Sequence, residues 1–217
     1  MLFRSNLSAE ELKDFDRLGT QVRLPKGAVV FQEDDPSQNV AVICEGQVKL
    51  SCMSREGKTM ILKIAVPGDV LGLGAVISES RHETTAETLE PTVIKSIRKA
   101  EFLAFLERHS EASMHAARSL SDEYRSVFFD ARRLALSPTA AGRLASVLLD
   151  WGRTAACGKP VMRFTMALTH EELANLAGTS RETVTRTLGK FQRERLIQVR
   201  GASLTILDPE KLEQIAS

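Results

Sequence analysis

Between Ser110 and Leu136 no proline or glycine interrupts the chain. Over that stretch Ala117, Leu120, Tyr124, Val127, Ala131 and Leu134 recur at spacings of 3, 4, 3, 4 and 3, which is a heptad seam on one long helix. About 27 residues rising roughly 1.5 Å each make a rod of about 40 Å. A helix of that length outruns the core of a small domain. The seam is therefore expected to pack against a second copy of the chain through Ala117, Leu120, Tyr124, Val127 and Ala131, the competing expectation being a helix packed on its own domain.

The texture differs on the two sides of this helix. From about residue 20 to 97 short apolar runs alternate with turn signals such as Pro25-Lys26-Gly27, Asp34-Asp35-Pro36, Glu45-Gly46, Arg55-Glu56-Gly57 and Pro67-Gly68-Asp69. Val40-Ala41-Val42-Ile43 and Met60-Ile61-Leu62-Lys63-Ile64 suit buried strands, and Val48, Leu50 and Cys52 alternate with polar neighbours. Many short strands with frequent turns predict an antiparallel roll, sandwich or barrel. A capping box, Ser8 to Glu11, starts a short helix before it, and a helix over Arg98 to Arg108 follows it. Ser137-Pro138 ends the long helix and starts another over Thr139 to Trp151, with Ser as N-cap and Pro at the first helical position. Gly158-Lys159-Pro160 reads as a loop. The predicted class is α+β in three parts: a β-roll over 1–108, a dimerisation helix over 109–137, and a mostly helical segment over 138–217.

Composition excludes several classes. Hydrophobic residues are 43% and charged residues 26%, ordinary for a globular chain and unlike a disordered or fibrous one. No apolar run approaches a membrane span, and Met1 to Asn6 lacks the basic and apolar regions of a secretory signal. Cys44, Cys52 and Cys157 are odd in number and scattered, which points to a reducing cytoplasm. The net charge of +1 conceals an asymmetry: residues 1–137 hold 18 Lys+Arg against 20 Asp+Glu, and 138–217 hold 11 against 8. Basic residues cluster at Arg181, Arg186, Lys190, Arg193, Arg195 and Arg200, which suits an anionic partner met at one end.

That basic cluster lies in the most informative stretch. Thr169 to Glu172 is a capping box, so a helix begins near His170, with Leu173 and Leu176 inside. Gly178 can take the left-handed conformation that ends it. Thr179 or Ser180 caps a second helix, with Glu182 at the box position and Val184, Leu188 and Phe191 as the buried stripe. Two short helices joined by a tight glycine turn make a helix-turn-helix. Arg181, Glu182, Thr185 and Arg186 lie off the stripe and suit base edges in a major groove. Thr169, Ser180, Thr183 and Arg193 suit phosphates. Leu196 to Val199 and Ser203 to Ile206 flank a turn at Gly201, a hairpin that reads as a wing, and Asp208-Pro209 starts a last helix.

Thr179-Ser180-Arg181-Glu182-Thr183-Val184-Thr185-Arg186 resembles the recognition helix of the Crp/Fnr family, the relatives of the cyclic-AMP receptor protein, and the likeness covers nearly the whole chain, including Pro67-Gly68-Asp69-Val70-Leu71-Gly72. The resemblance implies a cyclic-nucleotide-binding-like jelly roll as effector domain, a long dimer helix and a winged helix-turn-helix. It implies a homodimer on double-stranded DNA, reading a palindrome with TGTGA-like halves through Arg181, Glu182 and Arg186, with RNA polymerase as partner if the protein activates. Members that bind cyclic nucleotides carry a Glu for the ribose and an Arg for the phosphate; here those positions hold Leu73 and Glu83. The effector pocket is placed at Gly72, Leu73, Gly74, Arg81, His82, Glu83, Thr84 and Thr85, with Arg81 as the one available phosphate partner. Ordinary cyclic-AMP binding is not expected, because a carboxylate repels a phosphate.

Other sensors are weighed on the same residues. An iron–sulfur cluster needs about four cysteines, and Cys44 and Cys52 sit on adjacent candidate strands while Cys157 lies elsewhere, so no cluster is expected. A haem would need an axial ligand, for which His82 lies in the sensor loop, with His109, His115 and His170 elsewhere. No zinc spacing, phosphate loop or catalytic motif is present, so the chain is not expected to be an enzyme and its effector is unidentified. The alternative to a transcription regulator is a ligand-sensing module that acts on a protein partner.

Overall fold

The computed structural model describes residues 7–54, 56–57, 59–136, 139–156, 161–166 and 168–216. The proposed break at Ser137-Pro138, the loop at Gly158-Lys159-Pro160 and Cys157 lie outside the described residues. The chain divides into two compact units, 1–127 and 128–217.

The first unit is a β-roll flanked by helices. One four-stranded sheet has the order β1 (Thr20–Leu24), β8 (Thr92–Arg98), β3 (Asn39–Glu45), β6 (Val70–Leu71), and the other has β2 (Val29–Phe31), β7 (Thr85–Thr88), β4 (Val48–Met53), β5 (Thr59–Ala65). Every pairing is antiparallel. β3 explains its own sequence: it is buried on both faces, so it cannot alternate. Ala41 and Ile43 join Val48, Leu50, Ala65, Leu71, Ala86 and Ile94 between the sheets. Val40 and Val42 face the other way, into a cluster with Phe15 of α1 (Ala9–Arg17), Leu73 and Val76 of α2 (Leu73–Ile77), Phe102 and Phe105 of α3 (Lys99–Arg108), and Ala112 and Ala116 of α4 (Ser110–Leu136). Burying one such side chain contributes roughly 1.5–3 kcal/mol.

Three local features depart from the sequence expectations. Cys44 and Cys52 lie on consecutive strands that belong to different sheets. The pairing of β4 with β5 shifts between Leu50 and Ser51, which leaves Leu62 as an extra residue; such a bulge re-aims side chains and ends the inward alternation before Cys52, which is only half-buried. The segment after Gly72, for which no element was expected, is a short helix, α2.

The second unit contains α5 (Ala140–Ala156), a three-stranded sheet of order β10 (Ile197–Arg200), β11 (Ser203–Ile206), β9 (Met162–Thr165), the helix pair α6 (His170–Ala177) and α7 (Arg181–Arg193), and α8 (Pro209–Ala216). The wing is thus three strands and not a bare hairpin. β9 alternates half-buried with exposed residues over four positions, too short and too mixed to register as a strand. The cap of α5 is Thr139, whose hydroxyl accepts from the Gly142 N–H at 2.9 Å. α5 also runs past Trp151 through Gly152, where a Cβ would lie 2.7 Å from Ile206 Cδ1. That glycine is therefore the notch that admits the wing, and not a stop signal.

Candidate nucleic-acid interface and effector cavity

The helix-turn-helix is assembled by local hydrogen bonds. Thr169 Oγ1 accepts from the Glu172 N–H at 3.2 Å, and Glu172 Oε2 accepts from the Thr169 N–H at 2.9 Å, which closes the expected capping box. Gly178 ends α6 at φ 59°. Its last carbonyls are taken up from α5, an interaction the sequence did not disclose. Arg143 Nε donates to the Ala177 carbonyl at 2.8 Å and Nη2 to the Gly178 carbonyl at 3.1 Å. A guanidinium satisfies orphan carbonyls at a helix end, and its charge favours the negative end of the dipole. α7 starts at Ser180, whose Oγ accepts from the Thr183 N–H at 3.2 Å. That makes Thr183 the third helical residue, so Glu182 is not the acid of a capping box, contrary to the expectation.

Leu173, Ala174, Leu176 and Ala177 of α6 and Val184, Leu188 and Phe191 of α7 are buried. Arg181, Glu182, Thr185 and Arg186 are all exposed, brought together at the start of α7. The Glu182 carboxyl is held below its ordinary value, first by its own backbone N–H and then by the Ser180 hydroxyl, so it is a pure acceptor near neutral pH. Thr185 Oγ1 lies 2.8 Å from His170 Nδ1 and donates to the Arg181 carbonyl at 3.0 Å. Thr169 and Ser180 are exposed, Thr183 is half-buried, and Arg193 is exposed at the far end of α7. The last turn of α7 thus carries basic residues, Lys190 and Arg193, apart from the four-residue cluster.

The β-roll holds a cavity of about 240 Å³. Gly72, Leu73, Gly74, His82, Glu83 and Thr84 line it, together with Lys63, Glu123 and Ser126. Arg81 does not: its Nη1 donates to the Asp34 carbonyl. Thr85 is also turned aside, accepting from the Glu33 N–H at 3.0 Å. Leu73 is a core residue packed with Val76 and Phe102. Gly72 has φ +74°, and a Cβ there would lie 2.8 Å from His82 Cε1. His82 stacks on Phe31 with centroids 3.8 Å apart, and burial holds its pKa down. A second cavity of about 400 Å³ lies on the other side of the same pair, against Val22, Asn39 and Ile94. Among the described residues no group of three or more His, Cys, Asp or Glu is placed to hold a metal ion.

Two domain families match this chain. The cyclic nucleotide-binding domain covers residues 21–109 and the Crp-like helix-turn-helix domain covers residues 142–215. The chain belongs to the Crp/Fnr family of DNA-binding transcription regulators. Among the Crp/Fnr relatives, the nitrogen fixation regulation protein FixK of Bradyrhizobium diazoefficiens is 28% identical over 98% of this chain and 89% of its own length. A CRP-like cAMP-activated global transcriptional regulator of Mycobacterium tuberculosis is 28% identical over 90% of this chain and 87% of its own length. The fold is shared with the solved structure of FixK2 from Bradyrhizobium japonicum, at a TM-score of 0.82 and 19% identity over 92% of this chain and 98% of the other. The relatives are regulators and not enzymes, and no described helix is long and apolar enough to cross a membrane.

In this Crp/Fnr protein α4 presents different residues on its two sides. Ala112 and Ala116 are buried in the β-roll, and Leu120 packs against the same cluster. Ala117 is exposed, as are Met114, Tyr124, Val127 and Phe128; the side chain of Ala131 lies outside what the structure describes. Leu120 therefore belongs to the first unit's own core. Met114 and Phe128 join the outward set, which the spacing argument missed because it started one register away: Met114, Ala117, Ser121, Tyr124 and Phe128 also run 3, 4, 3, 4.

Proposed function

We propose that this Crp/Fnr regulator acts in the cytoplasm as a homodimer on an inverted-repeat DNA site, gated by a small molecule held in the β-roll cavity. The observation that carries the DNA reading is the cluster of Arg181, Glu182, Thr185 and Arg186, all exposed on the first turns of a capped helix whose opposite stripe is buried. Laid in a major groove, the two arginines meet guanine N7 and O6 and Glu182 accepts from a cytosine amino group. Thr169, Ser180, Thr183 and Arg193 take phosphates, which position the helix without reading sequence.

Dimerisation runs along the exposed side of α4 through Ala117, Tyr124, Val127 and Phe128. An exposed apolar row on a long helix is the usual sign of a partner surface. A two-fold dimer sets the half-sites about 34 Å apart, and TGTGA-like halves are expected. If the protein activates, RNA polymerase is its further partner. Selection from random duplexes tests the reading: inverted repeats containing G·C pairs support it, and recovery of no repeat overturns it.

A further inference from the structure

We infer that the β-roll cavity takes a small cationic ligand, an ammonium or amidinium group on a compact apolar body. This rests on the cavity being the effector site. Its volume, about 240 Å³, falls below the range of roughly 300–1,000 Å³ typical of drug-sized ligands. One wall is apolar, formed by Phe31, Leu50, Leu62, Leu73 and Val127. The polar lining includes Lys63, Glu83, Thr84 and Glu123. The one cation among the described lining residues is already paired, because Lys63 Nζ lies 3.1 Å from Asp69 Oδ2. Glu83 and Glu123 form no ion pair among the described residues, so two carboxyl groups face the occupant.

The Glu123 carboxyl is raised, first by burial and then, against the attraction of Lys63, by Asp69 and Glu83. A cation would relieve that repulsion, whereas a cyclic phosphate would add a further negative charge. An independent feature also suits an occupant. His82 is 5% exposed, lines the cavity, and its ring nitrogens have no hydrogen-bond partner among the described residues. Held neutral by burial, the ring offers one donor and one acceptor. The ring lines the cavity with hydrogen-bonding capacity that no described residue uses, so an occupant can meet it. The site also touches the long helix: Glu123, Ser126 and Val127 are on α4, beside Tyr124. A ligand bound to Glu123 thus pulls on the helix that carries the proposed dimer face.

The test compares two probes of similar size and opposite charge, phenethylammonium and hydrocinnamate, together with cyclic AMP, by calorimetry on the full chain. Saturable phenethylammonium binding at least tenfold tighter than either anion supports the inference. So does a loss of tenfold or more in a Glu83→Gln/Glu123→Gln protein that melts like the parent. Anion binding as tight as the ammonium, no saturation by the ammonium up to about 10 mM, or a folded Gln variant with unchanged affinity overturns it. The wild-type comparison decides even if the variant fails to fold. Ammonium binding that leaves DNA affinity unchanged would support the charge preference and defeat the gating reading alone.

Discussion

Glu11 ties two helices together with one carboxylate: Oε2 accepts from the Ser8 N–H at 2.8 Å, and Oε1 accepts from the Ala112 N–H at 3.2 Å, in the first turn of α4. The residue is buried, and it satisfies an orphan donor of the long helix from another element. The hydrogen bond from the Ser8 backbone chiefly holds its carboxyl below the usual range.

Glu11→Ala should therefore destabilise the protein by about 2 kcal/mol, combining a lost cap with a lost charge-assisted hydrogen bond. The pH dependence has a definite sign. A lowered carboxyl contributes stability that is present above its ordinary value of 4.5 and fades as pH falls through the folded value. Denaturant melts of Glu11→Ala and parent should differ at pH 7 and converge in acid; a constant gap would refute the assignment.

Tyr124→Glu with Phe128→Glu should yield folded monomers, because both side chains are exposed on one chain and would place like charges in a dry seam. Leu120→Glu should instead unfold the β-roll, since Leu120 packs against its core. Sedimentation and melting curves on the two proteins separate the outcomes.

Arg186→Ala should relax preference at one guanine, with about 1–3 kcal/mol of discrimination lost. Arg193→Ala should weaken all duplexes alike and reduce the salt slope by about 1. Binding to matched and mismatched sites over a salt series measures both.

Arg143→Ala leaves the Ala177 and Gly178 carbonyls without their guanidinium. A loss of about 1.5–3 kcal/mol is expected, with DNA affinity falling in step with the folded fraction. Hydrogen exchange should show the effect concentrated at the C-terminal end of α6.

Local chemistry made the helix-turn-helix legible. Thr169, Glu172, Gly178 and Ser180 act on neighbours within a few residues, so their spacing carries the information. The α4 seam was half legible: periodicity identifies a helix with an apolar side but not which apolar side the domain claims, and the β-roll takes Ala116 and Leu120. Arg143 and Glu123 were illegible because the groups that act on them lie far away in sequence, at Ala177 and Lys63. Arg81 shows the converse error, for its nearness in sequence to Glu83 says nothing about the turn that directs it to Asp34.

The Thr185 hydroxyl has one hydrogen, and the Arg181 carbonyl holds it. His170 must then be the donor in their contact, which places a proton on Nδ1 and occupies one oxygen lone pair. A base facing Thr185 therefore meets a single remaining lone pair and a methyl group. Adenine or cytosine can offer an amino hydrogen to the first, and thymine can lay its own methyl on the second. Guanine, which shows only acceptors along that edge, finds nothing to accept from. Under the proposed docking, the protein's own hydrogen bonding thus limits in advance which letters this position can read.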